Sequence, residues 1–214
     1  MARTTHGNVS VALDGVTSGT LFVCAHGAGG SLNDRGMLAA SRAIQDAGAG
    51  VLRFNFPYRE RKSGRPDPMP ALKDCVASVV AQAREEIAPT RVIIGGRSMG
   101  GRAASMLVAD GFAADGLLLL AYPLHPAGQP EKLRDAHLKD IRCPVLCING
   151  TRDALCDRSL MEGALATVRT SWTMHWLEGA DHSFHVLKSS GRSDADVMRE
   201  VTAAARAWLE NPHD

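Results

Sequence analysis

Three residues in this sequence carry the side chains that nucleophilic attack on a carbonyl requires: Ser98, Asp153 and His182. A serine hydroxyl is a weak nucleophile at neutral pH, so it needs a base to accept its proton and an acid to orient that base. Ser98 would be the nucleophile, His182 the base and Asp153 the residue that fixes the imidazole tautomer. This chemistry needs no cofactor, and we expect no metal site.

The segment around Ser98 has the pattern of a strand that turns sharply into a helix. Gly96 and Gly100 stand two residues on either side of Ser98, where side chains would collide in such a turn. This Gly-x-Ser-x-Gly pattern is typical of a nucleophile elbow, which lifts the hydroxyl above the sheet edge. The pattern is weak when taken alone, because a serine in a glycine-rich turn can simply cap the helix that follows.

The other two triad candidates also follow predicted strands. Asp153 comes after the apolar run 144–149, and His182 comes after the run 173–177. Loops that follow parallel strands meet at the same edge of a sheet, so both side chains are expected near Ser98. Three residues in this order and topology are stronger support for a nucleophilic site than the elbow alone.

The tetrahedral oxyanion of such a reaction needs preorganised donors, usually two backbone amides. We expect one amide from Met99, directly after the nucleophile, and the other from Ala28 in the glycine-rich loop 25–30. The rival interpretation of this loop is a dinucleotide-binding turn. That pattern fails because Leu32 stands where its third glycine would be.

Three further residues are candidates for contact with the substrate: Arg97 beside the nucleophile, His125 after a predicted strand, and Arg59. Arg59 lies in the proline-rich segment 57–70, whose four basic residues would favour an anionic substrate. The alternatives are a solvated loop for 57–70, an ion pair within the protein for Arg97, and a plain turn residue for His125. Asp157, a second carboxylate near the acid position, is predicted to cap the next helix.

Apolar runs alternate with helix-period segments along the chain. Short, continuously apolar strands separated by helices indicate an α/β fold with a mainly parallel sheet of about six to seven strands and helices on both faces. No linker or repeat divides residues 1–214, so we predict a single domain. The segment between Tyr122 and Pro144 has room for one short helix, so we predict no cap domain. The predicted strands are 20–25, 51–56, 91–95, 116–121, 144–149 and 173–177, with a weaker edge strand at 9–13; the predicted helices are 34–47, 71–87, 101–109, 133–138, 158–167 and 194–209.

The bulk composition narrows the classes of function. The chain has 214 residues, 45% of them hydrophobic, and a formal net charge of +1. No overall field attracts nucleic acid or a membrane surface, and no apolar run is long enough for a signal peptide or a membrane span. The five cysteines have no regular spacing, which favours the reducing cytoplasm. The expected partner is a small acyl substrate; the sequence leaves the oligomeric state open.

Six short motifs combine into one known pattern: HGAGG at 26–30, FNFPY at 54–58, GGRSMGGR at 95–102, LHP at 124–126, GTRD at 150–153 and GADHSF at 179–184. They resemble the small, cap-less α/β hydrolases of the dienelactone-hydrolase-like type, and most of all the proteins grouped with testis-expressed protein 30. The resemblance implies the α/β-hydrolase fold and a hydrolase that acts on a carboxylic ester or a related acyl compound. Dienelactone hydrolases use a cysteine nucleophile where this chain has Ser98, so a dienelactone substrate is not implied. The alternative is a weakly active or non-catalytic scaffold used for protein interaction.

Overall fold

A computed structural model describes residues 1–15 and 19–211 of the chain, and a central β-sheet with helices on both faces forms most of it. The strands are β1 (Ala2–Thr4), β2 (Gly7–Val9), β3 (Val11–Asp14), β4 (Thr20–Ala25), β5 (Gly50–Phe54), β6 (Arg91–Arg97), β7 (Gly116–Leu120), β8 (Val145–Gly150) and β9 (Trp172–Leu177). The helices are α1 (Arg35–Asp46), α2 (Pro57–Glu60), α3 (Met69–Glu86), α4 (Met99–Ala109), α5 (Arg158–Leu165) and α6 (Asp194–Glu210). Short 3-10 helices cover Leu138–Asp140 and Lys188–Ser190.

Seven of these strands form one sheet, in the order β3-β5-β4-β6-β7-β8-β9. Strand β3 is antiparallel to β5, and every other neighbouring pair is parallel. The predicted α/β fold with a mainly parallel sheet is therefore confirmed. The parallel arrangement brings the carboxyl ends of β6, β8 and β9 to the same edge of the sheet, where the triad candidates follow them.

Both faces of the sheet are buried, which explains why its strands have continuously apolar sequences. In β6, Val92 and Ile94 pack in one apolar layer with α3, α4 and α5, whereas Ile93 packs in the other layer. That second layer contains Ile44 of α1 and Val201 of α6. The alternation follows from the period of two in a strand, since successive side chains point to opposite faces. No helix within the described residues is long and apolar enough to span a bilayer.

The predicted edge strand at 9–13 is divided into β2 and β3, on either side of Ser10. The N–H of Ser10 donates to the Glu60 carboxylate at 2.8 Å, and its carbonyl accepts the N–H of Asn55 at 3.0 Å. Ser10 is thus held at the boundary between the small β1-β2 hairpin and the main sheet. The proline-rich segment 57–70 is not a loop throughout, because it opens with α2 and ends in the first turn of α3. Proline suits these first turns, since its fixed φ fits a helix start and its missing N–H has no partner there.

The predicted helix at 133–138 is wrong. Residues 133–135 have no regular structure, and one 3-10 turn, Leu138–Asp140, follows. The N–H of Arg134 donates to the Leu124 carbonyl at 2.7 Å, and the Arg134 carbonyl accepts the hydroxyl of Tyr122 at 2.7 Å. Both backbone groups of Arg134 are therefore bonded to residues of the loop after β7 and cannot form the hydrogen bonds of a helix. The connection from β7 to β8, residues 121–144, contains turns and one short 3-10 helix and forms no cap.

Candidate active site

Ser98 occupies a strained turn of a single residue between β6 and α4. Its backbone has φ 48° and ψ −116°, a conformation that costs a non-glycine residue free energy and is found mainly at functional sites. A Cβ at Gly96 would lie 2.0 Å from the carbonyl oxygen of Ala25, and one at Gly100 would lie 2.5 Å from the same atom. The two glycines are thus required for the strand-to-helix turn to pass this close to β4. The predicted elbow geometry is present.

Ser98, His182 and Asp153 form a continuous hydrogen-bonded chain. The Oγ of Ser98 lies 2.9 Å from Nε2 of His182, and Nδ1 of His182 lies 2.8 Å from Oδ2 of Asp153. The Asp153 side chain is fully buried, whereas the His182 side chain is 30% exposed. With Nδ1–H donating to the carboxylate, Nε2 is left to accept the hydroxyl proton of Ser98. The arrangement is chemically able to activate a serine.

Asn149 is a site residue that the sequence analysis missed. It is fully buried at the end of β8 and donates from Nδ2 to Oδ2 of Asp153 at 3.3 Å and to the carbonyl of Tyr122 at 3.0 Å. The other carboxylate oxygen of Asp153 accepts the N–H of Leu155 at 2.8 Å. Asn149 therefore shares Oδ2 with His182, while Leu155 holds Oδ1, and together these bonds fix the orientation of the carboxylate. The available signal was a polar residue in a strand that is otherwise apolar, because a buried amide needs partners.

The two predicted oxyanion donors stand on either side of the nucleophile. Ala28 lines the cavity in front of Ser98, on a loop close enough that a Cβ at Gly27 would lie 3.5 Å from the Ser98 Cβ. Met99 is the first residue of α4, where a backbone N–H has no acceptor within the helix. The role of these two amides in an oxyanion hole stays a prediction.

His26 holds the loop that carries Ala28. Its Nδ1 lies 2.8 Å from the Gly27 carbonyl, and its Nε2 accepts the N–H of Phe56 at 3.1 Å. The ring is fully buried, and burial lowers the pKa of His26 below the usual range for histidine. A neutral ring with Nδ1 protonated satisfies both bonds. His26 therefore connects the Ala28 loop to the segment after β5.

A cavity of about 810 Å³ opens directly above Ser98 and His182. The loop 27–30 and the N-terminal parts of α1 and α6 also line the cavity, and Leu155, Phe184 and Met198 provide apolar lining. The carboxylate of Asp34, in the wall of the cavity, already accepts hydrogen bonds from the N–H groups of Ser31 and Met37, at 3.0 and 2.8 Å. The space is large enough for a small organic substrate.

Arg97 also lines this cavity, as predicted from its place beside Ser98. Its Nη2 donates to the carbonyl of His182 at 3.1 Å, and its guanidinium lies over the ring of Phe184, 5.2 Å from the centroid. Burial lowers the pKa of Arg97 from the usual arginine value. The side chain thus contacts the loop of the base as well as the cavity.

Arg59 and His125 are not among the residues that line the cavity. The Arg59 guanidinium points back to its own segment, with Nη1 3.5 Å from the Ser63 carbonyl. His125 is 5% exposed; its Nδ1 lies 3.0 Å from the Pro126 carbonyl and its Nε2 accepts the N–H of Asp157 at 3.1 Å. Neither position supports the predicted contact with substrate, because both side chains are engaged by neighbouring backbone.

Asp157 caps α5, as the sequence predicted. Its carboxylate accepts the N–H of Leu160 at 3.0 Å and the hydroxyl of Ser159 at 2.7 Å. These bonds, with that from Ser159 the strongest, lower the pKa of the Asp157 carboxyl. The two aspartates therefore have different roles: Asp153 contacts His182, and Asp157 caps α5. Among the described residues, no cluster of three or more histidine, cysteine or acidic side chains is arranged to hold a metal ion.

A family model described as an α/β-hydrolase domain matches residues 18–210, which is most of the chain. The chain belongs to the α/β-hydrolase family. Solved structures agree with this fold. An α/β serine hydrolase without a lid, from Xanthomonas campestris, superposes with a TM-score of 0.77 at 24% identity, covering 99% of this chain and 94% of its own.

Two further similar structures extend the comparison. A dienelactone hydrolase from Anabaena variabilis has a TM-score of 0.70 at 19% identity, covering 94% of this chain and 90% of its own. Est1E from Butyrivibrio proteoclasticus, in a structure with bound ferulic acid, has a TM-score of 0.71 at 15% identity and covers 94% of both chains. At these identities the likeness concerns the fold alone. The closer link to the proteins grouped with testis-expressed protein 30 stays a prediction.

Proposed function

We propose that this α/β hydrolase is a serine esterase that cleaves short, soluble carboxylic esters through an acyl-enzyme. The observation that carries the proposal is the hydrogen-bonded chain from Ser98 through His182 to Asp153, with distances of 2.9 and 2.8 Å. This series of hydrogen bonds ends at the hydroxyl of Ser98, which lies on a strained turn beneath an open cavity. A serine held in this way has both a base and a place for the reacting carbonyl.

In the proposed mechanism, Ser98 Oγ attacks the ester carbonyl carbon while Nε2 of His182 takes the hydroxyl proton. The carbonyl oxygen becomes an oxyanion, which the amides of Ala28 and Met99 would stabilise. The intermediate collapses as the protonated His182 gives its proton to the departing alkoxide, leaving an acyl group on Ser98. Water then attacks the acyl-enzyme with His182 as base again, and the carboxylic acid leaves. Asp153 keeps Nδ1 protonated throughout and stabilises the imidazolium that forms.

The open cavity supports short substrates. Residues 1–15 and 19–211 form no cap over it, so this part of the chain offers no apolar lid under which a long acyl chain would be shielded from water. The apolar lining from Leu155, Phe184 and Met198 suits a small acyl or aryl group. Est1E, a fold neighbour, binds ferulic acid, and aryl acids of that size fit within about 810 Å³. We therefore propose small alkyl and aryl esters as the substrate class.

All five cysteines are free and buried, and burial raises the pKa of the Cys24 thiol to about 12. Thiols of this kind persist in a reducing compartment, which supports our proposal of a cytoplasmic location. The high pKa also argues against any of these cysteines as the nucleophile, since the reactive form is the thiolate.

The test is a series of 4-nitrophenyl esters from acetate to dodecanoate, assayed with the parent chain and with Ser98→Ala. We expect the highest kcat/KM on the shortest esters, no jump in rate above the micelle threshold, and no turnover by Ser98→Ala above background. Turnover that survives in Ser98→Ala would place the reaction elsewhere. The absence of turnover and of an acyl adduct on the parent would favour the alternative, a non-catalytic scaffold.

A further inference from the structure

The loop that carries His182 is short, and its shape is set from within. Asp181 accepts the N–H groups of Ser183 and His185, at 2.8 and 3.0 Å, and Ala180 pairs with Val186 as an antiparallel bridge. Phe184 has a φ of 65°, in the left-handed region that a phenylalanine rarely adopts. These features define the curvature of the loop. They do not by themselves determine how far the imidazole stands from Ser98.

Arg97 connects this loop to the nucleophile. It is the last residue of β6, so its backbone is bonded directly to Ser98. Its side chain donates to the carbonyl of His182 at 3.1 Å and lies over the buried ring of Phe184, two residues further on. The side chain of Arg97, the residue next to the nucleophile, therefore contacts the loop at His182 and at Phe184.

The guanidinium is held tightly in this place. A Cβ at Gly36 would lie 3.0 Å from Nη1 of Arg97, so the first turn of α1 also packs against the guanidinium. Within residues 1–15 and 19–211, Arg97 forms no salt bridge within 4.0 Å, although attraction to the more distant carboxylates of Asp34, Asp153 and Asp181 partly offsets the lowering of its pKa by burial. An arginine can be desolvated in this way because its planar cation is stabilised by an aromatic face and a carbonyl oxygen.

We propose that Arg97 is a positioning residue that holds the His182 imidazole in line with the Ser98 hydroxyl. The proposal rests on the proposed function, since it assigns Arg97 a part in the same proton transfer without contact to the reacting atoms. We expect loss of the Arg97 side chain to leave the fold and the cavity intact but to let the loop that carries His182 change its position relative to Ser98. A displacement of about 1 Å at a reacting group can cost on the order of a hundredfold in rate.

The first test is the rate at which a neutral alkyl fluorophosphonate labels the protein. Phosphonylation forms the bond from Ser98 Oγ to phosphorus and breaks the P–F bond, while the hydroxyl proton passes to His182, so labelling needs the same proton transfer. We expect Arg97→Met to react roughly ten to a hundred times more slowly than the parent, and Phe184→Leu to be slowed less. Arg84→Met is the matched control. Arg84 also donates to a backbone carbonyl, that of Ala113 at 2.6 Å, and lies 5.6 Å from the ring centroid of Phe112, but it is not among the residues that line the cavity. Its replacement is expected to leave the rate unchanged.

The second test separates positioning from substrate binding and from loss of fold. On a neutral short ester, Arg97→Met is expected to lower kcat with little change in KM, while its thermal midpoint stays close to that of Arg84→Met. Millimolar guanidinium is expected to restore part of the rate of Arg97→Ala, and an equal concentration of urea is not. A KM increase confined to an ester that bears a carboxylate would show that Arg97 contacts the substrate and would overturn the proposal.

A spectroscopic signature separates failure of this inference from failure of the proposed function. The Nδ1 proton of His182, shared with Asp153, is expected to give a far-downfield NMR signal in the parent and in Arg84→Met. We expect the signal to broaden or disappear in Arg97→Met and in Phe184→Leu, and Arg97→Lys to retain it in part. If the parent is not labelled at all, the proposed function fails, yet this signal still tests the positioning. If the Arg97 and Phe184 variants are labelled as fast as the parent and their NMR signal is unchanged, the inference is overturned.

Discussion

His182 and His125 follow strands at the same edge of the sheet, and each has an aspartate from the β8–α5 loop nearby, yet their rings are used differently. His182 has one nitrogen on the Ser98 hydroxyl and the other on the buried Asp153 carboxylate. His125 has both nitrogens on backbone groups, the Pro126 carbonyl and the Asp157 N–H. The first ring is partly open to the cavity, and the second is 5% exposed.

The comparison shows what distinguishes a potential base from a structural histidine at equivalent places in the topology. A base needs a nitrogen that faces a proton donor at a surface accessible to substrate, and a second nitrogen on a group that stabilises positive charge. His125 meets neither condition, because a backbone carbonyl and an amide satisfy its ring as a neutral group. Position after a strand therefore does not by itself identify a catalytic residue here.

The largest expected effect concerns the two residues joined by the central hydrogen bond. Ser98→Ala and His182→Ala are each expected to lower kcat by about 10⁴- to 10⁶-fold, because each removes the activated nucleophile. The double variant is expected to be no slower than either single one, since the residues act as a unit. Steady-state kinetics on 4-nitrophenyl acetate measures all three. Additive losses in the double variant would contradict a shared role.

The next effect compares the two aspartates. Asp153→Asn is expected to lower kcat by about 10⁴-fold, because an amide at this place favours the wrong imidazole tautomer. Asp157→Asn is the matched control: it keeps a side chain that caps α5, so both the rate and the stability are expected to stay close to those of the parent. A large rate loss in Asp157→Asn with a small one in Asp153→Asn would exchange the two roles.

His125 is expected to affect stability and not rate. His125→Ala leaves the buried contacts to Asp157 N–H and the Pro126 carbonyl unmade, which costs about 1–3 kcal/mol in the free energy of unfolding. The kcat on a short ester is expected to change less than twofold. Urea unfolding and steady-state kinetics on the same preparation give both values. A loss of kcat at unchanged stability would return His125 to the site.

A third histidine extends the comparison to pH. Burial lowers the pKa of His137, whose Nε2 lies 2.8 Å from Ser105 Oγ, to about 4. Because the folded state binds the proton less readily than the unfolded chain, this histidine stabilises the fold fully above about pH 6.5, and its contribution is lost as the pH falls towards 4. We expect the urea midpoint of the parent to fall across that window and the fall to be smaller in His137→Gln. His6→Gln, at an exposed position, is the control, and parallel pH curves for the parent and His137→Gln would contradict the assignment.

Much of this fold follows from hydrophobic pattern alone. The six strands of the parallel part, β4 to β9, lie where their short apolar runs predict, because a parallel sheet covered on both faces demands such runs. The placement of Ser98, Asp153 and His182 was also predictable, since the elbow glycines are read directly and the other two follow strands. The helix expected at 133–138 is absent because the backbone of Arg134 bonds to the loop after β7, a tertiary contact with no local signal.

The contacts that support the site were the least predictable part. As a polar residue in an apolar strand, Asn149 can be expected to have hydrogen-bond partners, but the sequence does not indicate that Asp153 is one of them. The contact of Arg97 with Phe184 joins residues 87 positions apart, and it depends on the left-handed backbone at Phe184. Such contacts arise from the packing of loops at the sheet edge, which spacing along the chain does not encode.

The most direct test of serine activation is to map the adduct that a fluorophosphonate probe leaves on the folded chain. We expect one adduct per molecule, located on the peptide that contains Ser98, absent from Ser98→Ala and formed far more slowly in Asp153→Asn. The buried Ser105, which also contacts a histidine, serves as an internal comparison and is expected to remain unmodified. An adduct at another residue, or none on the parent, would contradict the assignment of Ser98 as an activated nucleophile.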